Sequence, residues 1–215
     1  MLKLNLEKDK LLFLLILTDL VFILLHVIHV YTPLLPSSLY SLALDRGYGE
    51  FFQYTKELWI LVIFFYLGIK HRKLIFVIYS VLFLYFLIDD SFEFHEQFGA
   101  LLAEILNFKP LLGLRAVDFG ELTVTAIFST LLFIPIAITH IGSDKSTKLI
   151  SRTIFIMVIF LTIFGVGMDM IEIIVENPTL NPILVIVEEG GEMLIMSFIT
   201  WFVYGLLDRD YNQTY

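Results

Sequence analysis

The chain has no cysteine among its 215 residues, and charged residues make up only 17% of it. The missing thiols exclude a disulfide framework, thiolate nucleophiles, iron–sulfur clusters and cysteine-held zinc or copper. A bound metal would have to rest on carboxylate, imidazole, carbonyl or thioether. Basic residues are few as well, 14 Lys and Arg against 22 Asp and Glu, for a net charge of −8. No run of Lys and Arg suits a phosphate backbone, so no nucleic-acid partner is expected. What fills the space is apolar: 58% of residues are hydrophobic, where soluble domains average about 45–50% apolar and about 25% charged.

The apolar residues come in runs near the roughly 20 residues that cross a bilayer. The spacing predicts an all-α fold, a polytopic membrane helix bundle forming one integral membrane domain over residues 1–215. Six spans are expected, at about 11–30, 51–69, 74–97, 119–140, 149–175 and 182–206. The second is the weakest, because Lys56 and Glu57 interrupt it. The opening "MLKLNLEKDKLLFLLILTDLVFILLHVIHV" has the basic start of a leader peptide. Its apolar run is too long and no A-x-A-like cleavage site follows, so it reads as an uncleaved first span. A segment near 98–118, broken by Pro110 and Gly113, is too short to span and reads as interfacial or re-entrant.

Basic residues accumulate on the cytoplasmic side of a membrane. Alternating six spans gathers Lys3, Lys8, Lys10, Lys70, Arg72, Lys73, Lys145, Lys148, Arg152 and Arg209 on one side, ten of the fourteen. Both termini are therefore expected in the cytoplasm of a multi-pass cell-membrane protein. Arg46, Lys56, Lys109 and Arg115 fall on the other side, together with most of the carboxylates. Such a polarised charge would concentrate cations at the outer mouth.

The acids nearest the membrane sort by helix. The third span carries Asp89, Asp90, Glu93 and Glu96 in "LIDDSFEFHE", and the fourth starts near Glu121. The fifth carries Asp169, Glu172 and Glu176 in "GMDMIEIIVE", and the sixth Glu188, Glu189 and Glu192 in "VEEGGEML". At about 100° per residue, Asp89, Glu93 and Glu96 share an arc of about 60° on a continuous helix, as do Asp169, Glu172 and Glu176. Like charges gathered this way require protons or a cation between them. Asp89, Glu93, Glu96, Asp169, Glu172, Glu188 and Glu192 are the expected metal ligands, with His26, His29, His95 and Glu189 accessory. The plain alternative is a set of helix ends solvated at the interface. Asp19, near the bilayer centre, reads as a proton path or as a hydrogen bond to a neighbouring helix.

"LIDDSFEFHE" and "VEEGGEML", with "DRGYGEFFQYTKELW" before the second span, resemble a pattern of uncharacterised multi-pass membrane proteins of prokaryotes. That resemblance implies a membrane bundle and no particular activity. The chain is not similar to the alkaline-ceramidase-like hydrolases, because the His pair of their late span is missing. The Glu-x-x-His pattern of ferritin-like di-iron proteins is met only in part, with carboxylates where histidine should stand. An all-oxygen set suits a harder divalent metal ion, with Ca, Mg, Mn, Fe and Zn not distinguished by sequence.

Three functions follow as expectations. The first is an acidic, divalent-metal-binding site near the outer face, with a metal-dependent membrane enzyme acting on lipid as its catalytic form. The second is a cation or proton-coupled transporter or channel. The third is a structural or partner-binding membrane protein. Expected partners are the lipid bilayer, a lipid substrate or transported cation, and further copies of the chain in a homo-oligomer.

Overall fold

A backbone in hydrocarbon finds no water to bond, so it closes its hydrogen bonds along its own helices. The computed structural model is built this way. It describes residues 6–175, 177 and 180–208, with the side chains of residues 6–8 left aside. Eight α-helices and no strands occur among these residues: α1 Leu6–Tyr31, α2 Tyr48–His71, α3 Leu74–Phe92, α4 Phe94–Ile105, α5 Ala116–Gly142, α6 Lys145–Thr162, α7 Met168–Val175 and α8 Asn181–Tyr204. Lys3, Arg209 and Glu176, on which part of the sequence reading rests, lie outside the described residues.

Five helical stretches are long and apolar enough to cross a membrane: Asp9–Tyr31, Tyr48–His71, Leu74–Phe92, Ala116–Gly142 and the rod Lys145–Val175. Helix α8 matches them in length, at 24 residues, but carries three glutamates in its first half. Large apolar side chains such as Phe13, Ile69, Ile138 and Leu149 stay exposed on the outside of the bundle. In water such a surface would be an aggregation hazard; against lipid it is the solvated face.

Helices α2 and α3 form an antiparallel pair. Arg72 ends α2 in the left-handed conformation, at φ 52°. Gly68 lets the backbone of Val77 come close enough that a Cβ there would strike it. Between the two helices Phe64 stacks on Phe76, Tyr79 and Phe83, with centroids 5.4–6.1 Å apart. Ile154, Val158, Ile199 and Val203 complete this core from α6 and α8.

Three features depart from the sequence reading. The third span is not continuous over 74–97: α3 stops at Phe92, Glu93 takes a left-handed conformation at φ 53°, and α4 sets off in a new direction. The shared stripe of Asp89, Glu93 and Glu96 on one helix is therefore corrected, because a left-handed residue breaks the 100° progression. The segment expected near 98–118 is instead the 12-residue α4, followed by a turn in which Leu111 and Leu114 bridge. Gly99 and Gly120 let α4 lie directly on the backbone of α5. Finally, Lys56 and Glu57 are not at a solvated entrance to α2 but wholly inside the bundle.

Candidate functional site

Helix α2 presents Glu50, Gln53, Tyr54 and Glu57 at i, i+3, i+4 and i+7, one face of a helix. The end of α3 brings Asp89 and Asp90 against that face. The Tyr54 hydroxyl, with one proton to donate, lies 2.6 Å from Glu50 Oε2 and 3.0 Å from the Asp90 carbonyl and so bridges α2 and the end of α3. Helix α8 adds Glu188, Glu189 and Glu192. Behind Glu192, α6 runs into α7 through a π-helical turn at Ile163–Gly167. Gly165 in that turn leaves the space that Glu192 fills, since a Cβ there would meet Glu192 Oε1. Single π turns of this kind recur at functional sites.

These faces enclose one cavity of about 480 Å³. Asp45, Glu93, Glu96 and Arg115 stand on its loop side, and Leu82, Leu161 and Met196 reach its inner end. It therefore penetrates to the middle of α3, the end of α6 and the second half of α8. Glu121 of α5 and Asp169 of α7 complete the acidic lining.

Several side chains in this wall, Glu57, Gln53 and Tyr85 among them, carry buried polar atoms without a hydrogen-bonding partner. Glu57 has no solvent exposure, and no amine, amide or hydroxyl donor meets its oxygens; the group within hydrogen-bonding reach is the Asp90 carboxyl. Its electrostatic neighbours are mainly Asp90 and Glu192, acids like itself. Gln53, 6% exposed, has both its amide oxygen and its amide nitrogen unmet. An unpaired buried polar group costs about 1–3 kcal/mol and more when charged. The floor thus gathers buried acceptors to which, among the described residues, no basic side chain is hydrogen-bonded.

Lys56, adjacent in sequence, does not fill that need. Its three ammonium protons are taken by Asp19 Oδ1 at 3.1 Å, the Met193 carbonyl at 2.8 Å and Ser197 Oγ at 3.3 Å. Ser197 donates in turn to Asp19 Oδ2 at 2.6 Å. Asp19 is thereby held as one half of a buried ion pair.

Outside the spans, His95 opens α4. Its backbone N–H donates to Asp89 Oδ1 at 2.8 Å, and its ring Nδ1 lies 3.1 Å from the same oxygen. Burial opposes the imidazolium charge, but Asp89 outweighs it and the ring is pushed up to about 9. Burial raises the Glu96 carboxyl, helped by Asp45. Glu93 pairs with Arg46 at 2.8 Å.

Of the expected ligands, Asp89, Glu93, Glu96, Asp169, Glu188 and Glu192 line the cavity, with His95 and Glu189 beside them. Glu172 sits next to Glu188 but outside the lining. His26 and His29 are elsewhere and bind backbone. His26 Nδ1 accepts from the Leu42 N–H at 3.0 Å, and His29 Nδ1 donates to the Leu35 carbonyl at 2.7 Å. Among the described residues, no group of three or more His, Asp or Glu side chains is gathered closely enough to hold a metal ion. The sequence reading missed Glu50, Gln53, Tyr54 and Glu57. The helical spacing of those four polar residues was the signal that could have found them.

A family model, described as a domain of unknown function (DUF8692), matches residues 14–206. No curated protein and no solved structure matches the chain.

Proposed function

The chain belongs to the DUF8692 family, whose description carries no activity, and we propose that it is an integral membrane protein that binds a cation in its acid-lined chamber. Helix α8 is the sixth span in this reading. The bias of Lys and Arg puts both termini on the cytoplasmic side of the cell membrane, and the chamber opens outward. The observation that carries the proposal is Glu57: a fully buried carboxyl beside Asp90 and Glu192, with no basic group hydrogen-bonded to it. A cation in the chamber supplies the positive charge that Lys56, committed to Asp19, withholds.

A hard divalent metal ion is the simplest form of that cation, since nearly all the polar groups of the lining are oxygens. Such an ion, when bound, polarises ester or phosphoryl oxygens of a lipid. The carboxylates are spread along the chamber and, among the described residues, do not converge on one point. Transport is the second reading. It is favoured by the depth of the chamber, which ends at mid-bundle near the Lys56–Asp19 pair.

Elemental analysis of the purified protein, followed by calorimetric titration with Ca²⁺, Mg²⁺, Mn²⁺ and organic cations, tests the proposal. Saturable binding of any of these that is lost in Glu57→Gln supports it. A protein that binds none of them, with its stability unchanged by each, refutes it.

A further inference from the structure

Resting on the cation-binding reading, we infer that the chamber is entered sideways from the lipid, and that its ligand is an amphiphile with one ammonium head on a long alkyl chain. The head sits in the chamber and the chain lies along the outside of α5.

The route is a gap between α5 and α7. Both helices line the chamber, α5 through Leu122, Thr125 and Ser129 and α7 through Asp169, Met170 and Ile173. Yet α5 packs on α3, α4 and α6, and among the described residues it does not pack on α7 or on the π-helical turn. Only the turn before α5 reaches across, where Gly113 lies beside Ile174. A helix embedded in a bundle buries one stripe of its surface. No residue of the π-helical turn or of α7 is buried, so every side chain from Ile163 to Val175 keeps some exposure.

Beside the gap, α5 carries an apolar groove. It follows one face of the helix from Phe119 to Leu131, with Thr123, Ala126 and Thr130 three and four residues apart. Leu122 borders both the groove and the chamber. Gly120, where α4 lies on α5, is about 160° away around the helix, so this shared edge is on the side that α4 leaves free. The hydroxyls of Thr123 and Thr130 donate back to the Phe119 and Ala126 carbonyls, each at 2.7 Å. The groove therefore shows methyl and methylene groups, which suit an alkyl chain. From Phe119 to Leu131 the helix rises about 18 Å, close to the roughly 15 Å of one hydrocarbon leaflet.

The chamber specifies the head. Gln53, 6% exposed with both amide atoms unmet, and Glu57, with no basic partner, line it from α2. A primary ammonium brings three N–H donors and a compact charge to such acceptors. A neutral lipid would fill the groove and leave the chamber's charge uncompensated. A metal ion would occupy the chamber and make no use of the groove. A charged head on an apolar chain uses both, with Leu122 at the junction.

The test uses the full-length protein in phosphatidylcholine nanodiscs, with bound ligand counted by native mass spectrometry. The probes are hexadecylamine, hexadecanol at the same mole fraction, and butylamine and MnCl₂ added to the water. Hexadecylamine is expected to bind singly and at least about tenfold more tightly than hexadecanol. Ala126→Trp fills the groove at an exposed position. It should weaken hexadecylamine by about tenfold and leave butylamine unchanged, with thermal unfolding verifying that the variant folds. Glu57→Gln should weaken both amines and leave hexadecanol as it was. Hexadecylamine and hexadecanol bound alike would make the groove a seat for bulk lipid and overturn the inference. Butylamine or Mn²⁺ bound, with hexadecylamine absent or indifferent to Ala126→Trp, would overturn the amphiphile and leave the cation-binding reading standing. Binding of none of the probes would remove both.

Discussion

Lys56 Nζ lies 3.1 Å from Asp19 Oδ1, and neither side chain has any solvent exposure. A pair so deep is held by mutual dependence. Removing one partner leaves the other charge stranded, at a cost of about 3–5 kcal/mol, whereas replacing both with apolar residues is often neutral. Lys56→Met or Asp19→Asn alone should therefore lower stability by about that amount, and Asp19→Leu with Lys56→Met by clearly less than either single change. Reversible unfolding in mixed micelles measures this. Additive losses in the double variant would show that the two residues are independent.

The ion pair of Arg46 with Glu93 has a similar length, 2.8 Å, but a different setting, with side chains 54% and 28% exposed. Water screens such a pair, and its worth is about 0–1 kcal/mol. Arg46→Ala is expected to cost no more than that in the same unfolding assay. A loss comparable to that of Lys56→Met would mean that the break at Glu93 depends on Arg46.

Gly165 is where the π-helical turn gives way to Glu192. Gly165→Ala puts a methyl group where a carboxylate oxygen now sits, and overfilling of this sort costs about 1–3 kcal/mol. Glu192→Ala should recover most of the loss, and Glu192→Gln, which keeps the volume, should not. Thermal unfolding of the four proteins decides the matter.

His95 lends itself to a pH experiment. Its ring is held up to about 9 against a usual 6.5, since the Asp89 carboxylate outweighs the effect of burial. A histidine raised on folding adds stability that is complete below about pH 6.5 and is lost as pH climbs through about 9. The stability gap between the wild-type protein and His95→Gln, measured with chelator present, should therefore close across that window. Histidine ring NMR should place the midpoint near 9, and a midpoint at or below 6.5 would contradict the Asp89 contact.

How much of this could be read from the residues alone differs from element to element. The apolar runs located the five long helices, because hydrophobic length is a local property. The break at Glu93 was hidden. "DDSFEFHE" contains neither Gly nor Pro, and a left-handed glutamate is set by the surroundings of α4 and not by its own preference. The π-helical turn in "IFGVG" was equally invisible as a turn, although its two glycines mark it in hindsight. Asp19 and Lys56 are 37 residues apart, so nothing in either neighbourhood announces the other. Lys56 and Glu57 weaken the second span in the sequence because charge inside a span is ordinarily excluded, yet both are buried in α2. They are tolerated there because Asp19, Met193 and Ser197 stand opposite Lys56. For the chamber, spacing pointed to acids on α3, α7 and α8, while the α2 face went unnoticed behind the two charged residues that seemed to disqualify it.

The three glutamates in the first half of α8 bear on how the molecule is made. An acidic residue at mid-membrane costs about 2.5–3.5 kcal/mol on insertion scales, so α8 is the helix least able to enter lipid unaided. It packs against α1, α2, α6, the π-helical turn and α7, all of which precede it in the chain. Chain order thus sets the least lipid-soluble of the long helices after the wall that shelters it. Moving the α8 segment ahead of its companions is expected to lower the yield of folded protein, even with every residue unchanged.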